Sequence, residues 1–241
     1  MQKYYQIDLS KIHDEGFYQH STRSFPFIIK TINRFHKKGL VVELGCGSGI
    51  IAKKLIENNY SVLGIDYSAS MIKLAKQKVP KAKFLIGSIH RYEIPKCIAV
   101  LAIGEVFNYS FDNNTNYRSL KKLFLKFYNS LEKNGIFIFD VLKEDQIKNN
   151  RINKTFTEGK NWLVLTEKKE NKRRKELERR IITFYRIGKV FRKREETHKV
   201  KLYNTSILIK LLNEIGFNSS YSRNFGKYKL GNNHAIFVCR K

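Results

Sequence analysis

The chain has 241 residues, with 47 Lys+Arg against 21 Asp+Glu and a formal net charge of +26 at pH 7. A composition of 42% hydrophobic and 13% aromatic residues excludes a disordered basic tail, because such segments lack core formers. No apolar run reaches the roughly 18 residues of a membrane helix, and the first residues lack the apolar stretch and small-residue cleavage site of a secretory leader, so a cytoplasmic protein without a membrane partner is expected.

From residue 40 onward, short apolar runs alternate with helical patterns. Leu40–Leu44 reads as a buried strand, 45–49 as a turn and 50–58 as a helix. Residues 61–65 form a second strand and 68–78 a second helix; 83–86 and 98–103 are further strands. Residues 117–131 have helical apolar spacing, and 135–141 follow an Asn-Gly turn as a strand. Strands alternating with helices of this length predict a mostly parallel sheet covered on both faces.

The pattern changes after residue 142. Residues 162–167, 178–186 and 189–198 mix apolar and charged positions in short runs, with Gly188 at a turn between the last two. They read as an antiparallel meander inserted into the α/β core. A helix over 205–215, ended by Gly216, and strands at 217–223 and 234–239 close the chain.

Cys46, Cys97 and Cys239 form no CxxC and no Cys/His ligand spacing, so neither a disulfide nor a metal site is expected.

The most informative stretch is Glu43-Leu44-Gly45-Cys46-Gly47-Ser48-Gly49. Glycines after a strand let backbone approach a ligand closely, and the following helix turns free N–H groups toward it. Asp66 ends the next strand, where a carboxylate can accept hydrogen bonds from ribose hydroxyls. The loop lacks the Lys-Ser/Thr of a P-loop, which argues against nucleoside triphosphate hydrolysis.

These residues resemble the first motif of class I S-adenosylmethionine-dependent methyltransferases. Residues 62–68, with Met71 one helical turn on, resemble the second motif, and 84–89 the adenine-contacting strand end, with Ser88 where the family often has Asp. Residues 102–109 and 131–140 resemble the fourth and fifth motifs. The resemblance implies a Rossmann-like seven-stranded, mostly parallel sheet with an antiparallel β insertion, and S-adenosyl-L-methionine as cofactor. It divides the chain into an N-terminal helical cap (1–39), a cofactor-binding core (40–142), a basic β insertion on the substrate side (143–204), and a helix and strand pair completing the sheet (205–241).

The same resemblance assigns Glu43, Gly45, Cys46, Gly47, Asp66, Tyr67, Met71, Gly87, Ser88, Ile89 and Ile103 to the cofactor. His13 lies in an N-terminal segment expected to close over it. The flanks are similar to a bacterial subgroup of small-molecule and natural-product methyltransferases. Glu105, at the C-terminal edge of the sheet, and His198 are the candidate catalytic residues, as an amine-attracting or proton-accepting carboxylate and as a neutral imidazole base. Tyr109 and Tyr203 are candidates to line the substrate pocket.

The sequence leaves three readings of function. The first is transfer of a methyl group to an N or O atom of a small molecule, an acidic one included. The second is an RNA or peptide methyltransferase that docks its substrate on the insertion, where residues 160–201 hold 16 Lys+Arg against 6 Asp+Glu. The third is a fold that binds without catalysis, against which intact Gly45, Gly47 and Asp66 speak. No Asn/Asp-Pro-Pro-Tyr/Phe or Pro-Cys stands at the fourth strand, which disfavours base methylation by those routes. Lysine-rich compositional drift competes with function as the source of the charge.

Overall fold

The structure is a computed structural model that describes residues 4–109, 116–147 and 151–241. Two helices, α1 (Ile7–Gly16) and α2 (Gln19–Asn33), precede the first strand. The core then runs β1 (Leu40–Leu44), α3 (Ile50–Glu57), β2 (Ser61–Asp66), α4 (Ala69–Lys78), β3 (Lys83–Ile86), β4 (Cys97–Ala102), α5 (Tyr117–Ser130) and β5 (Leu131–Leu142). Four strands follow, β6 (Asn153–Gly159), β7 (Trp162–Asn171), β8 (Glu176–Ile187) and β9 (Val190–Lys201). The chain ends with α6 (Thr205–Ile215), β10 (Asn218–Ser222), the short β11 (Asn224–Phe225) and β12 (Tyr228–Lys229), and β13 (His234–Arg240).

Seven strands form the central sheet in the order β10-β13-β5-β4-β1-β2-β3. Strands β1 to β5 pair in parallel, while β13 runs antiparallel to both β5 and β10. Every residue of β4, Cys-Ile-Ala-Val-Leu-Ala, is buried, as a central parallel strand requires. The apolar positions of α5 recur at Leu120, Leu123, Phe124 and Phe127 and pack with Leu208, Leu211 and Leu212 of α6 on one face. Phe25, Ile28 and Ile32 of α2, with Ile51 and Leu55 of α3, cover the other. Asn116 caps α5 by accepting from the Ser119 N–H.

The insertion is a separate four-stranded antiparallel sheet, β6-β7-β8-β9. It has one strand more than the sequence pattern predicted, because β6 is an edge strand exposed along its whole length and carries no buried face to betray it. The hairpin of β11 and β12 was also not anticipated. One face of the second sheet meets α1, where Trp162 and Val164 pack on Ile12. Among the described residues, no helix is long and apolar enough to cross a membrane.

Candidate active site

Strand β1 lies between β4 and β2, so the chain leaves it in opposite directions and a crevice opens at the C-terminal ends of the strands. The glycine loop sits there. Gly45 and Gly47 have φ of 63° and 53°, a left-handed backbone that glycine adopts at little cost. A Cβ on Gly45 would come within 2.6 Å of the Val106 side chain, whereas one on Gly47 would meet nothing within 4 Å. The first glycine is therefore needed for packing, and the second leaves the loop open toward the crevice.

The Asp66 carboxylate ties the loop to the second strand. It accepts from the Gly47 N–H and from the Ser68 N–H, each at 2.8 Å. Burial raises its pKa, against the pull of these backbone donors. Glu43 lies beside it with Oε2 unpartnered among the described residues. Burial, reinforced by the charge of Asp66, lifts the Glu43 pKa to about 8.

A first cavity is lined by Glu43, Gly45, Cys46, Gly47, Asp66, Tyr67, Met71, Ile89 and Ile103. Of the positions expected at the cofactor, these and His13 thus come together around one cavity. Gly87 and Ser88 stand just beyond β3. The Gly87 N–H donates to the Asp66 carbonyl at 2.8 Å, and the Ser88 hydroxyl accepts from the His90 N–H at 3.2 Å. Met71 is held in place because Ser68 caps α4 by accepting from the Met71 N–H.

A second cavity adjoins the first and shares Tyr5, His13, Phe17, His20, Gly104 and Tyr109 with it. Its far wall comes from the second sheet, through Val164, Thr166, Lys168, Arg179 and Ile181. Glu105 lines it, at a left-handed φ of 65° that a non-glycine residue seldom adopts. Its carboxylate accepts from the Arg179 guanidinium at 2.7 Å and lies 3.1 Å from His234 Nε2. Burial alone would raise the Glu105 pKa, but Arg179 and His234 outweigh it and hold the group down to about 2. Glu105 is thus a fixed anion with little affinity for a proton.

His13 lines both cavities, and burial pushes its imidazole down to about 4, so the ring is neutral at pH 7. Tyr109 also lines both and shares a 2.8 Å hydrogen bond between its hydroxyl and that of Tyr5.

Two of the candidates lie away from both cavities. Tyr203 is 1% exposed and its hydroxyl donates to the Phe107 carbonyl at 2.9 Å, which braces the core. His198 is 1% exposed, lies 2.9 Å from Glu196 Oε2 and is boxed by the rings of Tyr4, Tyr5 and Tyr109. It lines neither cavity, and Tyr5 and Tyr109 stand at the cavity wall in its place.

The sequence pattern missed His20, Lys168, Arg179 and His234. His20 faces buried Asp140 across 3.7 Å, with His20 Nε2 and Asp140 Oδ2 both lacking a hydrogen-bond partner among the described residues. These residues come from four separate segments, so no local spacing announces them. The usable signal was the alternation of Val164, Thr166 and Lys168 along one face of a strand.

Much of the insertion's charge is neutralised within the molecule. Arg192 and Arg194 both pair with buried Asp8, Arg180 bridges Glu167 and Glu195, and Lys172, Lys175 and Lys201 pair with Asp145, Glu144 and Glu176.

A family model described as a methyltransferase domain matches residues 41–135. The trans-aconitate 2-methyltransferase of Rhodopseudomonas palustris is 33% identical over 87 residues, which are 35% of this chain and 33% of that protein. The chain matches between about a third and a half of the length of the curated relatives it resembles. An S-adenosylmethionine-dependent methyltransferase from Clostridium acetobutylicum superposes with a TM-score of 0.81 at 19% identity, covering 97% of each chain. An amino pentose methyltransferase from Micromonospora echinaspora, with S-adenosylmethionine bound, superposes with a TM-score of 0.75 at 11% identity, over 100% of this chain and 98% of the other. The sheet order, the glycine loop with its paired carboxylates and these likenesses agree: residues 41–135 are a methyltransferase domain, within a chain that has the class I S-adenosylmethionine-dependent methyltransferase fold.

Proposed function

We propose that the chain transfers a methyl group from S-adenosylmethionine to an N or O atom of a small polar acceptor held between the core and the second sheet. The observation that carries this reading is the pair of adjoining cavities with a common wall of Tyr5, His13, His20, Gly104 and Tyr109. One is lined by the glycine loop, and the other is closed by charged side chains of the insertion.

The first cavity fits the cofactor. The unpartnered Glu43 oxygen suits an ammonium, Asp66 keeps acceptor capacity for ribose hydroxyls, and Tyr67, Met71 and Ile89 offer an apolar shelf for adenine. The cofactor, when bound, supplies a methyl group already activated on a sulfonium. The protein's task is then to align the acceptor, and near-attack alignment contributes up to roughly 7–11 kcal/mol in ideal cases. Glu105, ion-paired and weakly basic, serves orientation better than proton transfer. The names of the similar proteins include a carboxylic acid and an amino sugar as acceptors, both small and polar. Docking of RNA or a peptide on the insertion has less support, because so many of its cations already have internal partners.

The test is titration calorimetry with S-adenosylmethionine. Wild-type protein should bind, and Asp66→Ala should bind at least tenfold more weakly, about 1.4 kcal/mol. Absence of binding by the wild type, or equal binding by the variant, would overturn the proposal.

A further inference from the structure

Lys168 and Arg179 are direct cross-strand partners in the β7–β8 pair, and both side chains line the second cavity. Like charges facing each other across an antiparallel pair destabilise it, so a balancing anion is needed. Glu105 supplies one, but it is engaged by Arg179 at 2.7 Å and by His234 at 3.1 Å. The Lys168 side chain, among the described residues, has no hydrogen bond or ion pair of its own. The nearby carboxylates are turned elsewhere. Asp140 faces His20 and accepts from the Gly104 N–H, while both oxygens of Glu170 accept the Asp145 and Ile147 backbone N–H groups. Burial and the Arg179 charge lower the Lys168 pKa against the opposing pull of Glu105, so the one carboxylate does not fully offset the ammonium's surroundings. Among the residues that line the second cavity, Lys168 and Arg179 thus face the single carboxylate of Glu105, one anion short.

We propose that Lys168, with Arg179 beside it, forms an anion subsite that binds a carboxylate or phosphate group of the methyl acceptor. This rests on the reading of the second cavity as the acceptor site, and it narrows the acceptor to a molecule carrying an acidic group. Such a group would complete the charge balance and fix the acceptor's orientation relative to the shared wall. An ammonium is a point charge that accepts either anion, so the carboxylate and phosphate sources are separated by the choice of probe.

The experiment uses the full chain with S-adenosylhomocysteine bound, titrated separately with citrate and with inorganic phosphate in a constant chloride background. Saturable binding of citrate alone assigns a carboxylate, and of phosphate alone a phosphoryl group; either supports the proposal. Lys168→Met should weaken the bound probe at least tenfold, Lys168→Arg should retain binding, and Lys193→Met in β9 should leave it unchanged. The melting temperature of Lys168→Met without probe should equal or exceed that of the wild type, since a like-charge contact is removed. S-adenosylhomocysteine affinity should be the same in all variants, which keeps this test independent of the cofactor assignment. Binding of neither probe by the wild type, or equal binding by wild type and Lys168→Met, would overturn the proposal.

Discussion

Replacing Glu43 with Gln should change how stability depends on pH. Glu43 is 4% exposed at the end of β1, and its pKa rises from 4.5 to about 8 on burial beside Asp66. The folded chain therefore keeps a proton that the unfolded chain releases. Stability from this group is fully present below pH 4.5, falls as pH rises toward 8, and is level above that. Each pH unit costs about 1.4 kcal/mol, so the interval sets a ceiling of about 5 kcal/mol on the loss. Gln has the same shape and cannot ionise. Denaturant unfolding of the ligand-free protein at pH 5 and pH 8 should therefore show Glu43→Gln gaining at least about 2 kcal/mol on the wild type between the two, or ~4–8 °C in melting temperature. Cofactor binding adds a second readout. An ammonium beside Glu43 favours the carboxylate, so binding at pH 7 should release a proton in the wild type and none in the variant, measured by calorimetry in buffers of different ionisation enthalpy. Parallel stability curves would refute the burial reasoning, and equal proton release would refute the placement of the ammonium.

Glu105→Gln should destabilise the fold by roughly 3–5 kcal/mol in denaturant melts, because it strands the buried Arg179 guanidinium without its counter-charge. Replacing Asp8 with Asn removes the shared partner of Arg192 and Arg194. Amide exchange over α1 should then quicken severalfold, while exchange in β4 stays as in the wild type.

The parallel core was legible because β1, β2 and β4 are short apolar runs with a helical pattern after each, and Gly45, Gly47 and Asp66 sit at the turns where that pattern predicts a ligand. The second sheet was legible only in part. Phe156, 64% exposed on the edge strand β6, gives no amphipathic signal. The second cavity was the least readable, since Lys168, Arg179, His20 and His234 meet only after the insertion folds back over the core. His198 shows the limit of reading a residue type alone. Its charged neighbours in sequence pointed to an open strand end, yet the alternation of β9 turns it inward against Tyr4, Tyr5 and Tyr109.

The N-terminal segment touches both halves of the site. Toward the core, the Tyr5 carbonyl accepts from Ser68, and Asp14 accepts from Ser48 and pairs with Lys78. Toward the second sheet, the Gln6 N–H donates to Glu196, Asp8 holds Arg192 and Arg194, and Glu15 accepts from Tyr185. Tyr5, His13 and Phe17 line both cavities. The two chambers consequently share one covering segment. If the two chambers hold cofactor and acceptor as proposed, a change that loosens residues 4–17, such as Asp8→Asn, should shorten the residence times of both ligands together.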